Sequence, residues 1–378
     1  MKKYIIFAAT ALAVMAACTR VESFDTKKEI NFQVANRIQT KADGSVYNNG
    51  AFGTYSWFTA ESGSSHADFM VNEEVDLIGG VWKTKNHTFY WPKTGSIDFI
   101  SYSPFNGTNN SANSNPAVTE TTISYTGITA DVVDYMYADK ATCSSNVNQI
   151  TDDDTADSGY SGVPTLFRHA LAKLSFKVQA NFVEWDDANN SSHTEWKVTI
   201  NSFKIGGFKT TGDCALTLDT DAKSWVKPQT NIGTDADPVY VNVWTNLSGT
   251  TADQELVDAT TYPAGVVLTE DPQDLTPAAG FVMPQVLTAG IQTIDIDAKI
   301  KTTLSNGNII EEDFVKTINI SDISTLKAWQ MNQNIVYTIK FKPTAKVDLD
   351  DSPEDVIIHF DPAVADWTTI NVGAVIQL

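Results

Sequence analysis

Cysteine is scarce in this chain: its 378 residues hold three, Cys18, Cys143 and Cys214. There is no CxxC pair and no Cys/His cluster at zinc spacing, so nothing points to a structural zinc or a dithiol redox site. Histidine is nearly as sparse. His66, His87, His169, His193 and His359 stand apart, none with a partner at ligand spacing. His169 opens a strand, where a core or edge role outweighs catalysis. A Gly-rich phosphate loop, HExxH and GxSxG are all missing. Positive charge is short as well, with 26 Lys and Arg against 46 Asp and Glu and a formal net charge of −20. A chain this acidic repels nucleic acid, and no basic, aromatic-rich patch offsets it. Long helical stripes and internal repeats are absent too. The expectation is a non-enzyme with no cofactor, no metal site and no nucleic-acid partner.

Long apolar runs are confined to the start. Met1-Lys2-Lys3 is basic, Tyr4 to Val14 carries no charge, and Met15-Ala16-Ala17 brings small residues up to Cys18. That is the layout of a secretory signal. The run is too short to span a membrane, which takes ~20 apolar residues. A cysteine directly after the small-residue site favours lipidation of Cys18 over plain secretion. The departure is Met15, where a lipoprotein signal usually has Leu. Residues 1–17 are thus read as a lipoprotein signal peptide and 18–26 as a tether. The protein is expected to sit on an outer membrane or cell surface.

What fills the rest is period-two alternation. Leu174, Phe176, Val178 and Ala180 alternate with polar residues, as do Ile294, Ile296, Ala298 and Ile300, and again Ile335, Tyr337, Ile339 and Phe341. Such runs are strands with one buried face. Val239–Trp244 is a further strand candidate, and at most a short helix fits near Ser321–Gln330. Many short strands between Gly, Asn, Asp, Ser and Pro turns predict an all-β chain of antiparallel sandwiches. The composition shift at Val163–Phe167 places a boundary between domains at 27–165 and 166–378. Asp152, Asp153, Asp154 and Asp157 lie in a polar stretch that reads as a solvated loop, since EF-hand spacing is missing. Cys143 and Cys214 are open to two readings, a disulfide or two buried thiols. The tryptophans are likewise open to two, core residues or sugar-stacking platforms.

Seven segments, taken in order, resemble the fimbrillin family of Bacteroides-type bacteria, the subunits of type V pili. They are Val81-Trp82 with Tyr90-Trp91-Pro92-Lys93-Thr94-Gly95; Ile97 to Pro104; Asp134-Tyr135-Met136-Tyr137-Ala138; Phe167-Arg168-His169-Ala170-Leu171-Ala172-Lys173-Leu174-Ser175-Phe176; Phe281-Val282-Met283-Pro284-Gln285; Trp329 to Tyr337; and Phe360 to Trp367. Each motif alone is weak, but their order across nearly the whole mature chain is specific.

The resemblance implies two transthyretin-like antiparallel β-sandwich domains in tandem, lipoprotein export, and a structural or adhesive role in a fimbrium. It also implies proteolysis after an arginine near the first mature strand, whose place is then taken by a strand from a neighbouring pilin subunit. Here the first strand is Ile30–Val34 and the candidate cut is Arg37, with Lys41 and Arg20 as rivals. At the other end Ile370, Val372, Ala374, Ile376 and Leu378 alternate to the last residue and form a candidate donor strand. The alternative is that this strand pairs within its own domain. Expected partners are other pilin subunits by strand exchange, the outer membrane through a lipid, and a host or glycan ligand. A glycan-binding surface lipoprotein of a polysaccharide-uptake system is the second functional reading. Buried tryptophans would favour the pilin; exposed, coplanar ones would favour the glycan binder.

Overall fold

The computed structural model describes residues 24–36, 47, 49–63, 66–105, 115–130, 133–144, 148–150, 162–180, 193–219, 224–250, 254–275, 280–304, 306–323, 326–343, 356–360, 363–364 and 374–375. Among them strands dominate, and the helix is a single turn, Ile320–Ile323, at the start of the stretch where the sequence admits one.

The first half runs through β1 (Phe24–Glu29), β2 (Phe32–Asn36), β3 (Phe52–Thr59), β4 (His66–Ile78), β5 (Val81–Thr84), β6 (Tyr90–Pro92), β7 (Ser96–Ser103), β8 (Ala117–Thr119), β9 (Thr122–Thr129), β10 (Met136–Ala138), β11 (Ala141–Cys143), β12 (Asn148–Ile150) and β13 (Val163–His169). Strand β1 takes in Phe24 to Thr26 of the segment read as a tether and pairs with β6.

One sheet closes on itself. Its order is β10-β13-β2-β5-β4-β3-β7, and β7 returns to β10. The closing residues are Met136 and Tyr137, which pair with His169 and Arg168 on one side and with Ser103 and Tyr102 on the other. Closure removes the unpaired edges that an open sheet presents to other chains. Within this ring only β2 and β13 run parallel; the other neighbours are antiparallel.

Strand alternation explains why both faces of β3 and β7 are apolar. Phe52, Phe58, Ile97 and Phe99 point into the closed sheet, where they meet Ile30, Phe32, Trp91 and Phe167. Trp57 and Ile100 point out, against a second core that holds Tyr125, Cys214, Trp225 and Trp244.

Beyond β14 (Ala172–Ala180) and β15 (His193–Gly206) come β16 (Thr211–Asp219) and β17 (Ser224–Val226). Strand β16 pairs with β9, from Thr217↔Thr122 to Thr211↔Thr129. Strands from either side of the expected boundary therefore share one sheet, and a division at 165/166 falls inside β13.

Most of the remaining strands form two facing sheets. One joins β14 in parallel to Asn334–Pro343, from Lys173↔Asn334 to Ala180↔Phe341, and continues to Val356–Phe360 and Ala374–Val375. The other joins β15 to Thr293–Leu304 and Ile309–Asn319. The alternating residues expected from sequence, Leu174 to Ala180, Ile294 to Ile300 and Ile335 to Phe341, meet in the core between them. Each large side chain buried there contributes about 1.5–3 kcal/mol.

Candidate functional site: the place of strand β2

Strand β2 is one stave of the closed sheet, held very differently on its two sides. Toward β13 it forms a continuous parallel ladder, Phe32↔Val163, Gln33↔Pro164, Val34↔Thr165, Leu166↔Ala35 and Phe167↔Asn36. Just before the ladder the Val163 amide donates to the Asn31 carbonyl at 2.7 Å, and the Ile30 amide donates to the Phe89 carbonyl at 2.9 Å. Toward β5 it has a single register pair, Phe32↔Trp82.

The apolar residues of this stave and of the two positions before it follow the strand period, Ile30, Phe32 and Val34. Ile30 and Phe32 are 1% and 4% exposed, and Val34 packs against the same core. Phe32 is the anchor. Its ring meets Phe52 at 5.6 Å and Phe99 at 5.8 Å, both edge-on. Phe52 in turn contacts Tyr47, Trp82 and Phe167, and Tyr47 stacks on Phe167 at 4.9 Å. Edge-on aromatic pairs add about 0.5–1.5 kcal/mol each beyond area burial. The Tyr47 hydroxyl bonds the Ser103 hydroxyl at 2.7 Å, and burial pushes its pKa up, so it stays neutral.

Polar contacts fix the β13 wall. Arg168 donates from Nε and Nη2 to the two carboxylate oxygens of Asp139, at 2.7 and 2.9 Å, and the Asp139 side chain is 3% exposed. His169 Nδ1 lies 2.7 Å from Asp134 Oδ2. The Asn49 amide donates to the Asp134 carbonyl and to Ser103 Oγ. A forked Arg–carboxylate pair sets orientation as well as attraction. On its β13 side β2 is thus held by a full ladder against a wall pinned by the fork, and on its β5 side by one register pair.

Among the expected site residues, Cys18, Arg20, Arg37, Lys41, Ile370, Val372, Ile376 and Leu378 lie outside the described residues. Ala374 is described. It pairs with Phe360, and Val375 with His359, so this part of the C-terminal segment lies in a sheet of its own chain. The segment with Asp152, Asp153, Asp154 and Asp157 also lies outside the described residues.

The other residues singled out do not converge. His87 sits on the surface beside Glu73, 3.0 Å away. His66, His193 and His359 are dispersed over separate strands. No group of three or more metal-ligating side chains occurs among the described residues. Cys143 and Cys214 are both buried free thiols, in different cores, and burial pushes the Cys214 thiol up. Trp57, Trp196, Trp225, Trp244 and Trp329 are buried, and Trp82 packs against the core of the closed sheet. The Trp225 and Trp244 indoles donate inward, to the carbonyls of Ala138 and Ala170. No aromatic platform forms among them.

Sequence reasoning missed the parallel pairing of β2 with β13, which no local pattern encodes. It missed the Arg168–Asp139 fork as well, although Arg168 stands inside one quoted motif and Asp139 directly after another. Gly162, which lets the chains approach, carried a signal that was available: a glycine just before an apolar strand.

Fold and site together describe an all-β protein in which β2 closes a ring of strands through one full ladder and one register pair. The fimbrillin-like family model matches residues 40–367, and the chain belongs to that family. No curated protein matches it. Among solved structures it is similar to a fimbrial protein from Bacteroides vulgatus, at 16% identity and a TM-score of 0.48 over 90% of this chain and 100% of that one. It is also similar to a fimbrial assembly protein from Parabacteroides distasonis, at 11% identity and a TM-score of 0.31 over 91% and 98%. A third is the fimbrial anchor protein from Porphyromonas gingivalis, at 9% identity and a TM-score of 0.29 over 92% and 99%. Membership implies a cell-surface protein that assembles with other fimbrial subunits. No described helix is long and apolar enough to cross a membrane.

Proposed function

We propose that this chain is a structural subunit of a cell-surface fimbria, exported as a lipoprotein through Cys18 and joined to its neighbours by strand complementation at the place of β2. It performs no catalysis in this role. The observation that carries the reading is the stave itself: β2 closes the ring through one full ladder and a single pair, and Arg37 follows it directly in sequence. Removing β2 together with the residues that lead into it would bare the edges of β13 and β5 and the apolar pockets of Ile30, Phe32 and Val34. An extended segment with alternating apolar residues restores all three at once.

Burial of the described tryptophans supports the fimbrial reading over glycan stacking.

The test is digestion of the purified full chain with an arginine-specific protease. The expected products start at Ile38 and form ladders of polymers on a denaturing gel. Cleavage after Arg37 that yields only monomers would sink the strand-complementation step. Incorporation of a radioactive fatty acid, lost in Cys18→Ser, tests the export step.

A further inference from the structure

Given strand complementation as proposed above, on which this inference rests, the remaining question is whose strand enters. The pocket at the centre of the groove is shaped by an aromatic ring. Phe32 is edge-on to Phe52 and Phe99, and around Phe52 stand Tyr47, Trp82 and Phe167. Its flanking pockets hold Ile30 and Val34. The occupant therefore reads apolar, any, aromatic, any, apolar.

The C-terminal segment of this chain does not fit that pattern. Its apolar phase is Ile370, Val372, Ala374, Ile376 and Leu378, with no ring. In any register a branched aliphatic or an alanine would sit where Phe32 sits, and a core site underfilled in this way loses contacts that its walls do not recover by collapse. Trp367 is the aromatic residue nearest this run, but it lies in the opposite phase. Placing it at the Phe32 position puts Ala365 and Thr369 in the flanking pockets, one too small and the other polar. The segment is also engaged at home, through Ala374↔Phe360 and Val375↔His359.

We infer that the groove selects a strand with an aromatic side chain at the Phe32 position, and so accepts a different fimbrial subunit in preference to a second copy of this chain. The device is steric. Rings on both sides of the pocket reward a ring between them, while the β13 ladder, which uses backbone alone, binds any extended segment alike.

The test uses the full chain with a site-specific protease sequence inserted between residues 37 and 46, so that cleavage does not depend on Arg37. After cutting, fluorescent peptides are offered and half-exchange concentrations are read by anisotropy. The peptides are Glu29–Asn36, the same with Phe32→Leu, Thr369–Leu378, and four forms of the latter with Phe replacing Ile370, Val372, Ala374 or Ile376. The Glu29–Asn36 peptide is expected to exchange at a concentration at least tenfold below that of Thr369–Leu378. Phe32→Leu should erase most of that advantage, and one of the Phe-bearing tail peptides should gain it, which also reports the register. Equal exchange by Thr369–Leu378 and Glu29–Asn36, or no gain from any added Phe, would overturn the selection. Failure of every peptide, Glu29–Asn36 included, would instead overturn strand complementation itself.

Discussion

Asn31 and Gly162 lie so close that a Cβ added to Gly162 would come 2.6 Å from the Asn31 carbonyl oxygen. The same oxygen accepts from the Val163 amide at 2.7 Å. The residue before β13 must therefore lack a side chain for β2 to enter its ladder.

Gly162→Ala should loosen β2 selectively. Backbone on the far side of the contact cannot yield as a flexible side chain would, so overpacking here costs about 1–3 kcal/mol. The check is a denaturant titration together with limited proteolysis. Stability should fall by that amount and cleavage between residues 37 and 46 should quicken. An unchanged midpoint would show that the two backbones can part without cost.

Arg168→Met should be more damaging than its partial exposure implies. It leaves the Asp139 carboxylate, 3% exposed, without its forked partner. Breaking a buried pair from one side costs about 3–5 kcal/mol; with Arg168 23% exposed, a figure near 3 is expected. Replacing Asp139 as well, by Asn, should recover part of the loss. The measurement is a double-mutant cycle by urea unfolding, and a coupling near zero would remove the pin from the β13 wall.

Much of the fold was legible in the sequence, and these two sites show where legibility ended. The runs at Leu174, Ile294 and Ile335 declared their buried faces by alternation, because one wet face forces polar residues between apolar ones. Strands β3 and β7 gave no such alternation, since Phe99 and Ile100 are both covered, by different cores. Pairing between residues as distant as Phe32 and Val163, or Thr122 and Thr217, leaves no local trace. The composition shift near Val163 coincides with the start of β13, Val163–His169. Val239–Trp244 was read as one strand, and only Tyr240–Val241 pairs.

Stability should acquire a specific acid dependence through Asp213. The Asn246 amide and the Gly127 N–H, bonded at 2.7 and 2.6 Å, hold its carboxyl below the usual aspartate range. A lowered folded pKa contributes stability that is fully present above the unfolded value, about 3.9. That contribution is lost as pH falls through the folded value. In Asp213→Ala the melting temperature should lie below wild type at neutral pH, and the gap should close in acid. A gap constant with pH would mean that the carboxylate bonds contribute nothing.

The two buried thiols should be silent until the chain unfolds. Burial raises the pKa of the Cys214 thiol, and the thiolate is the reactive form. In a Cys18→Ser chain, a thiol reagent at about pH 8 should find no reactive group in the folded protein and two in denaturant. Labelling of the native protein within seconds would contradict the burial of both. Absence of thiols after denaturation would instead indicate a disulfide.

Met136 and Tyr137 make the ring a ring, and this bears on how a fibre would carry force. If a neighbour's segment replaces β2 and follows its direction, tension along the fibre pulls parallel to the β13 ladder. The five register pairs from Phe32↔Val163 to Asn36↔Phe167 are then loaded together in shear and do not peel one at a time. Because β10 links β13 back to β7, the pull passes around the closed wall and is not borne by a single hairpin. The joint would resist a lengthwise tug far better than a sideways one.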